Sequence, residues 1–407
     1  MKWNEKIKNA VFLGTLCSVS YLSVYIARNV LSAVTPKMLT DGYLETYIGN
    51  MSSLYFIFYA VGQLINGAIG DKIKAKYMIS FGLLLACITN VSFVFLTEYR
   101  NGAMIVYAMT GFFLSMIYGP MTKVVSENTE PVYATRCSLG YTFASFFGSP
   151  LAGLLATFLA WQSVFFVSAG ALAVMALTVF LVFSLFERKG IVRYGLYKAE
   201  KKGVGNVKVL FEREIVKYSL VSILTGVVRT SVVFWLPTYI AQYLQFAPQT
   251  ATGIFTGATF VISFTAFIAV FIYERLGRDI DKTLLLMFVS SACFFTLTYF
   301  IKFPALNVVC IVLAIMSSNG AASMLWSRYC PSLRDTGMVS SATGFLDFLS
   351  YMAAAVSSNV FANAVSSIGW ENLILVWMAL MIVGVIVALP YQYFAKKQKK
   401  IKSFDLQ

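Results

Sequence analysis

Twelve apolar runs of membrane-spanning length, joined by short polar loops and one long one, leave this chain few folds to choose from. Inside a bilayer every backbone N–H and C=O must be bonded within its own segment, so each such run has to become a helix. About 20 residues at 1.5 Å of rise cross the hydrocarbon. The runs fall at about 10–35, 46–70, 77–97, 103–125, 136–159, 162–186, 216–243, 250–273, 283–301, 305–327, 338–364 and 371–394. Composition agrees, with 58% hydrophobic and only 12% charged residues against roughly 25% charged in soluble domains. The expected fold is an all-α membrane protein of twelve transmembrane helices in two pseudo-symmetric six-helix bundles. The polar stretch "ERKGIVRYGLYKAEKKGVGNVKVLFEREI" divides the chain. It predicts an N-terminal bundle over 1–187, a cytoplasmic linker over 188–215, a C-terminal bundle over 216–394 and a basic cytoplasmic tail over 395–407.

Lys and Arg are retained on the cytoplasmic side of a membrane. Of the 32 here, 27 fall on the alternate loops that share a side with the N-terminus, and three (Lys37, Arg100 and Lys302) fall on the other. This distribution predicts a multi-pass protein of the plasma membrane, the inner membrane in a bacterium, with both termini cytoplasmic. It also accounts for the net charge of +14 without nucleic acid, because the basic residues lie between apolar runs and not in a patch with stacking aromatics. The first apolar run continues through Val34, longer than a signal-peptide core, and reads as the first span. The chain has no His, which removes the usual near-neutral proton shuttle and the commonest metal ligand. Its six Cys show no CxxC pair, so neither disulfides nor a zinc site are expected. No cofactor, metal or catalytic residue is predicted.

Two basic residues remain, Arg28 and Arg229, and both lie within spans. Arg costs roughly 2.5 to 3.5 kcal/mol at the centre of a membrane helix, so something must compensate. "RNVLSAVTP" and "RTSVVFWLP" each place Arg eight residues before Pro, in the first and seventh spans. "GAIGDKIKAK" after the second span is answered by "YERLGRD" after the eighth. Parallel halves of six spans, each opening with the same charge, describe the repeat architecture of a secondary transporter with its site at the interface. Helical phase then separates lining from outer spans. Polar stripes run along span one (Tyr21, Tyr25, Arg28), span two (Tyr55, Tyr59, Gln63), span four (Tyr118), span five (Tyr141, Ser145) and span seven (Thr225, Arg229). They continue on span eight (Thr252, Thr256, Thr259, Ser263), span ten (Asn319, Ser323, Trp326) and span eleven (Thr343, Asp347, Ser350). Spans three, six, nine and twelve are nearly bare of polar side chains and are expected to face lipid. Ser and Thr also bond helix to helix in membranes, so a stripe is a candidate lining and not a proof of one.

These residues resemble the major facilitator superfamily. Gly67, Asp71, Lys72 and Lys76 match its inner-loop signature, and Glu274, Arg275, Gly277 and Arg278 match the second copy. Within it, "ARNVLSAVTPKML" and "VRTSVVFWLPTYI", with Trp235, Pro237, Thr238 and Tyr239, resemble the organophosphate:phosphate antiporters such as the glycerol-3-phosphate and hexose-phosphate transporters. The resemblance implies that Arg28 and Arg229 clasp a substrate phosphate. Two cavity positions depart from the glycerol-phosphate pattern, Gln63 replacing a Lys and Ala144 a His, which leaves room for a smaller or less charged anion.

Arg suits an oxyanion because its planar fork donates parallel hydrogen bonds and keeps its proton. The candidate substrate-binding set is Arg28, Arg229, Tyr25, Tyr59, Gln63, Tyr118, Tyr141, Ser145, Asn319 and Asp347, with Asp71, Lys72, Glu274 and Arg275 as an inner latch. A structural ion pair with Asp347 is the alternative role for Arg229, and whether Asp347 pairs tightly separates obligatory exchange from proton symport. The function expected is exchange of a small organic anion, a phosphorylated metabolite, for inorganic phosphate, by a monomer in lipid. A proton- or cation-coupled carboxylate symporter is the alternative, in which Asp347 carries the coupling proton. A membrane receptor or a lipid-headgroup enzyme is disfavoured, since no acid cluster or nucleophile with a base is present.

Overall fold

The computed structural model describes residues 5–70, 73–194, 211, 213–330 and 339–389, and all regular structure among them is helical. The N-terminal half contains α1 (Glu5–Thr40), α2 (Glu45–Gly70), α3 (Ala75–Phe95), α4 (Arg100–Leu114), α5 (Tyr118–Asn128), α6 (Pro131–Phe158) and α7 (Trp161–Arg188). The C-terminal half contains α8 (Ile215–Gly226), α9 (Val233–Gln242), α10 (Pro248–Ser263), α11 (Thr265–Arg275), α12 (Ile280–Phe300), α13 (Pro304–Met324) and α14 (Val339–Ala388). α4 and α5 form one span with a bend at 115–117, and α10 and α11 form one that bends at Phe264. Wide i→i+5 turns join α8 to α9 at Val227–Val232 and extend α13 at Leu325–Tyr329.

Eleven helical stretches among the described residues, three of them joined from two helices, are long and apolar enough to cross a membrane. The last, α14, has 50 residues, about 75 Å at 1.5 Å per residue and far more than one bilayer. It breaks at Gly369, whose φ of 77° and ψ of 169° lie in a region open only to glycine. Phe361 and Trp377 show that the chain reverses there. Sixteen residues of straight helix would separate them by about 24 Å, yet their ring centroids are 5.8 Å apart. α14 is therefore a helical hairpin that supplies the eleventh and twelfth expected spans.

Burial follows the order read from the polar stripes. The apolar windows of α3, α7 and α12 are 39% buried, whereas that of the span 215–242 is 78% buried. Within each half, glycine lets backbones meet. A Cβ on Gly148 of α6 would lie 2.6 Å from the Tyr25 carbonyl carbon of α1, and one on Gly226 of α8 would lie 2.7 Å from the Ser350 carbonyl oxygen of α14. Each contact is centred three residues before an arginine, on Tyr25 and on Gly226, so these close approaches set where Arg28 and Arg229 emerge.

The halves clasp at the end where α1 finishes. Ser32 donates to the Phe234 carbonyl at 2.6 Å, Ser52 to Ser358 at 3.3 Å and Gln249 to the Thr157 carbonyl at 3.5 Å. Asn359 donates to Asn50 and Gln242 to Glu45. On one flank Phe143 and Phe147 of α6 meet Phe260, Phe264 and Phe267, with centroids 5.5 to 6.1 Å apart.

Candidate functional site

α1 and the wide turn between α8 and α9 bring one guanidinium from each half to the same tyrosine. Arg28 donates from Nη1 to the Tyr25 hydroxyl at 3.1 Å, and Arg229 donates from Nη2 to that same oxygen at 2.9 Å. Those two nitrogens thus lie no farther apart than about 6 Å, the sum of the two distances. Snorkelling of Arg28 toward the membrane surface is excluded, because its side chain is 7% exposed and bonded in the centre.

Arg28 is caged. Nη1 also donates to Tyr351 at 2.6 Å, Nη2 reaches Thr230 of the opposite half at 3.4 Å, and Tyr25 lies 3.4 Å from Tyr351, oxygen to oxygen. Its Cζ is 4.6 Å from the ring centre of Tyr351, 4.9 Å from Tyr25, 5.4 Å from Phe56 and 5.5 Å from Tyr59. Ring faces attract a desolvated cation, by up to about 2 kcal/mol in good geometry, so the aromatics repay part of the burial cost. Arg229 is held more lightly, by Tyr25 and by the Phe146 ring at 5.5 Å. The turn that carries it is a wider coil than an α-helix, a form that recurs at functional sites.

Two cavities open around this pair. The first, about 530 Å³ including its mouth, is lined by Arg28, Arg229, Asn29, Thr230, Ser149, Thr259 and Asn319 among others. The second, about 450 Å³, is lined by Tyr21, Tyr118, Tyr141, Trp326, Asp347 and Tyr351 among others. Tyr25, Ser145, Phe146 and Arg229 border both.

Most of the expected site residues converge here. Tyr25, Ser145 and Asn319 line the first cavity, and Tyr118, Tyr141 and Asp347 the second. Tyr59 and Gln63 do not border either of these cavities. Tyr59 packs edge-on against Tyr351 at 4.5 Å beneath Arg28, and Gln63 is buried along the same helix. Of the two arrangements left open for Asp347, the structure shows the looser one: among the described residues Asp347 forms no ion pair with Arg229 within 4.0 Å, though both border the second cavity. On α10 the stripe Thr252, Thr256, Thr259 and Ser263 bonds to its own carbonyls four residues back, and of the four only Thr259 borders these cavities. Glu274 and Arg275 are exposed at the end of α11, with Arg275 over the Phe271 ring at 5.0 Å. Asp71 and Lys72 lie outside the described residues.

Sequence reasoning missed Tyr351, the nearest partner of Arg28. Its signal was present, since Tyr351 follows Asp347 by four residues and shares its helix face. Thr230, Phe56 and Phe146 were also missed, and their signal is weaker: an apolar ring beside a buried arginine looks like any core residue.

Comparison with known proteins places this architecture. The chain is 24% identical over 268 residues to the glycerol-3-phosphate transporter of Bacillus subtilis (strain 168), a match spanning 60% of each chain. It is 24% identical over 397 residues to the phosphoglycerate transporter protein of Salmonella typhimurium, spanning 89% of this chain and 83% of that one. A partially occluded, inward-open structure of the xylose transporter XylE from E. coli superposes with a TM-score of 0.70 at 13% identity, over 94% of this chain and 97% of that one. The model of the Major Facilitator Superfamily matches residues 17–358, and the chain belongs to that superfamily.

Proposed function

We propose that this protein carries a small phosphorylated metabolite across the membrane in exchange for inorganic phosphate, as a monomer, by rocking of its halves around the Arg28–Arg229 pair. The observation that carries this reading is the meeting of two arginines, one per half, on one tyrosine hydroxyl with no carboxylate of the described residues within ion-pair distance of either. Two cations this close in a low-dielectric site repel, and a phosphoryl group bridging their forks removes the repulsion and adds charge-assisted hydrogen bonds. Because the forks come from different halves, the bridging anion joins the moving parts, and the loaded protein reorients more readily than the empty one. That is the condition for obligatory exchange. The similarity to a glycerol-3-phosphate and a phosphoglycerate transporter supports a phosphate ester as cargo. The alternating distribution of Lys and Arg supports cytoplasmic termini, with the clasped end of the structure outside.

The test is transport in proteoliposomes of the full chain. Vesicles loaded with phosphate should take up labelled phosphate, and empty vesicles should not. A second reading rests on Asp347, which borders the second cavity with no ion pair within 4.0 Å among the described residues and would carry a proton in a symporter. Uptake into empty vesicles driven by an inward proton gradient would establish that reading and overturn exchange.

A further inference from the structure

The second cavity holds a combination that the phosphate-gripping pair does not need. Tyr21, Tyr118 and Tyr141 stand in mutual contact, with ring centroids 5.4, 6.2 and 6.3 Å apart. Trp326 and Tyr351 complete the wall from the other half, and Asp347 borders the same space. The Asp347 carboxylate has no ion pair and no hydrogen bond from the described residues. Arg229 borders the same cavity beyond ion-pair distance, so the carboxylate gains a direct partner only if a cationic group of the cargo joins it. Aromatic faces around a carboxylate are the chemistry that recognises an ammonium or quaternary ammonium group. Arg229 borders this cavity and the first one alike, so a molecule gripped there by its phosphate can extend its other end toward Asp347.

Resting on the proposed phosphate-ester reading, we infer that the cargo is a phosphorylated amine, its phosphate on Arg28 and Arg229 and its cationic nitrogen among Asp347, Trp326 and the three tyrosines. Charge supports the assignment. Two arginines and one carboxylate give the chamber a net charge of +1, which a phosphate dianion bearing one ammonium neutralises. A second carboxylate on the cargo would instead face Asp347 and be repelled.

The experiment is competition against labelled phosphate exchange in proteoliposomes, using phosphoethanolamine, phosphocholine, glycerol 3-phosphate and 3-phosphoglycerate as probes. Phosphoethanolamine or phosphocholine should half-inhibit at a concentration at least tenfold below that of glycerol 3-phosphate, with 3-phosphoglycerate weakest. In Asp347→Asn the amine-to-glycerol preference should collapse to within about threefold, whatever the overall rate. If phosphate exchange proceeds but glycerol 3-phosphate or 3-phosphoglycerate competes as well as the amines, the amine assignment is overturned and the phosphate reading stands. An unchanged preference in Asp347→Asn also overturns it. If wild-type protein exchanges no phosphate at all, both readings fall together.

Discussion

The two halves present the same residue in two different ways. In the N-terminal half Arg28 is enclosed, with hydroxyls from Tyr25, Tyr351 and Thr230 and four ring faces around it. In the C-terminal half Arg229 has one hydrogen bond and one ring, sits on a widened turn and borders both cavities. The two halves thus carry matching charges in unequal surroundings. On the proposed reading Arg28 is the enclosed member of the grip, and Arg229, which borders both cavities, is the more open one.

The sharpest way to break this comparison is to replace each arginine by lysine, which keeps the charge and removes the fork. Arg229→Lys should lower phosphate exchange by at least 100-fold with a thermal midpoint close to wild type. Arg28→Lys should lower exchange comparably and also destabilise, because three hydroxyl contacts lose their planar donor. Equal midpoints for the two variants would erase the distinction. Next in size is Gly148→Ala, which drives a methyl into the α1 backbone beside Tyr25 and should cost about 1–3 kcal/mol of stability by overpacking. It should also disturb exchange through Arg28. Tyr351→Phe removes the 2.6 Å hydrogen bond to Arg28 and keeps the ring. A loss of about 1 kcal/mol, or roughly fivefold in apparent affinity for phosphate, is expected.

How much of this was legible depended on what each signal costs the chain. Arg28 and Arg229 stood out because a charge in an apolar run is expensive and needs a reason. The lipid-facing spans stood out because they lack polar side chains. The wide turn at Val227–Val232 was invisible, since its sequence, "VVRTSV", is ordinary for a membrane helix and the turn arises where Gly226 packs on Ser350. The threonine stripe on α10 misled because hydroxyl periodicity is the same whether the hydroxyls face a cavity or bond back to their own helix. Whether Asp347 pairs with Arg229 stayed open, because opposite charge suggests a pair and sequence contains no distance.

The smallest effect expected is a control remote from both arginines. Asp279 caps α12 by accepting from the Lys282 backbone N–H at 3.1 Å. Partial burial pushes its carboxyl upward, but the bonds and charge of Lys282 outweigh that and hold it below the usual carboxylate range. A carboxyl lowered in the folded state adds stability at neutral pH that is lost as pH falls through its folded value. Asp279→Ala should therefore cost about 0.5–1 kcal/mol at pH 7. The gap in thermal midpoint should close on acidification through the carboxylate range, with exchange per folded molecule unchanged at pH 7.

The clasp between the halves is made of hydroxyls, amides and one carboxylate, with no pairing of opposite charges across the seam in Ser32, Asn50, Ser52, Ser358 and Asn359. Each such bond is worth about 1 kcal/mol net, so the shut mouth is a row of weak catches and not a weld. Only a solute's preference for one arrangement over the other can shift them, and a tenfold preference supplies about 1.4 kcal/mol, enough to offset one. On the proposed reading, mutations that add a catch should slow the swing before they weaken the grip.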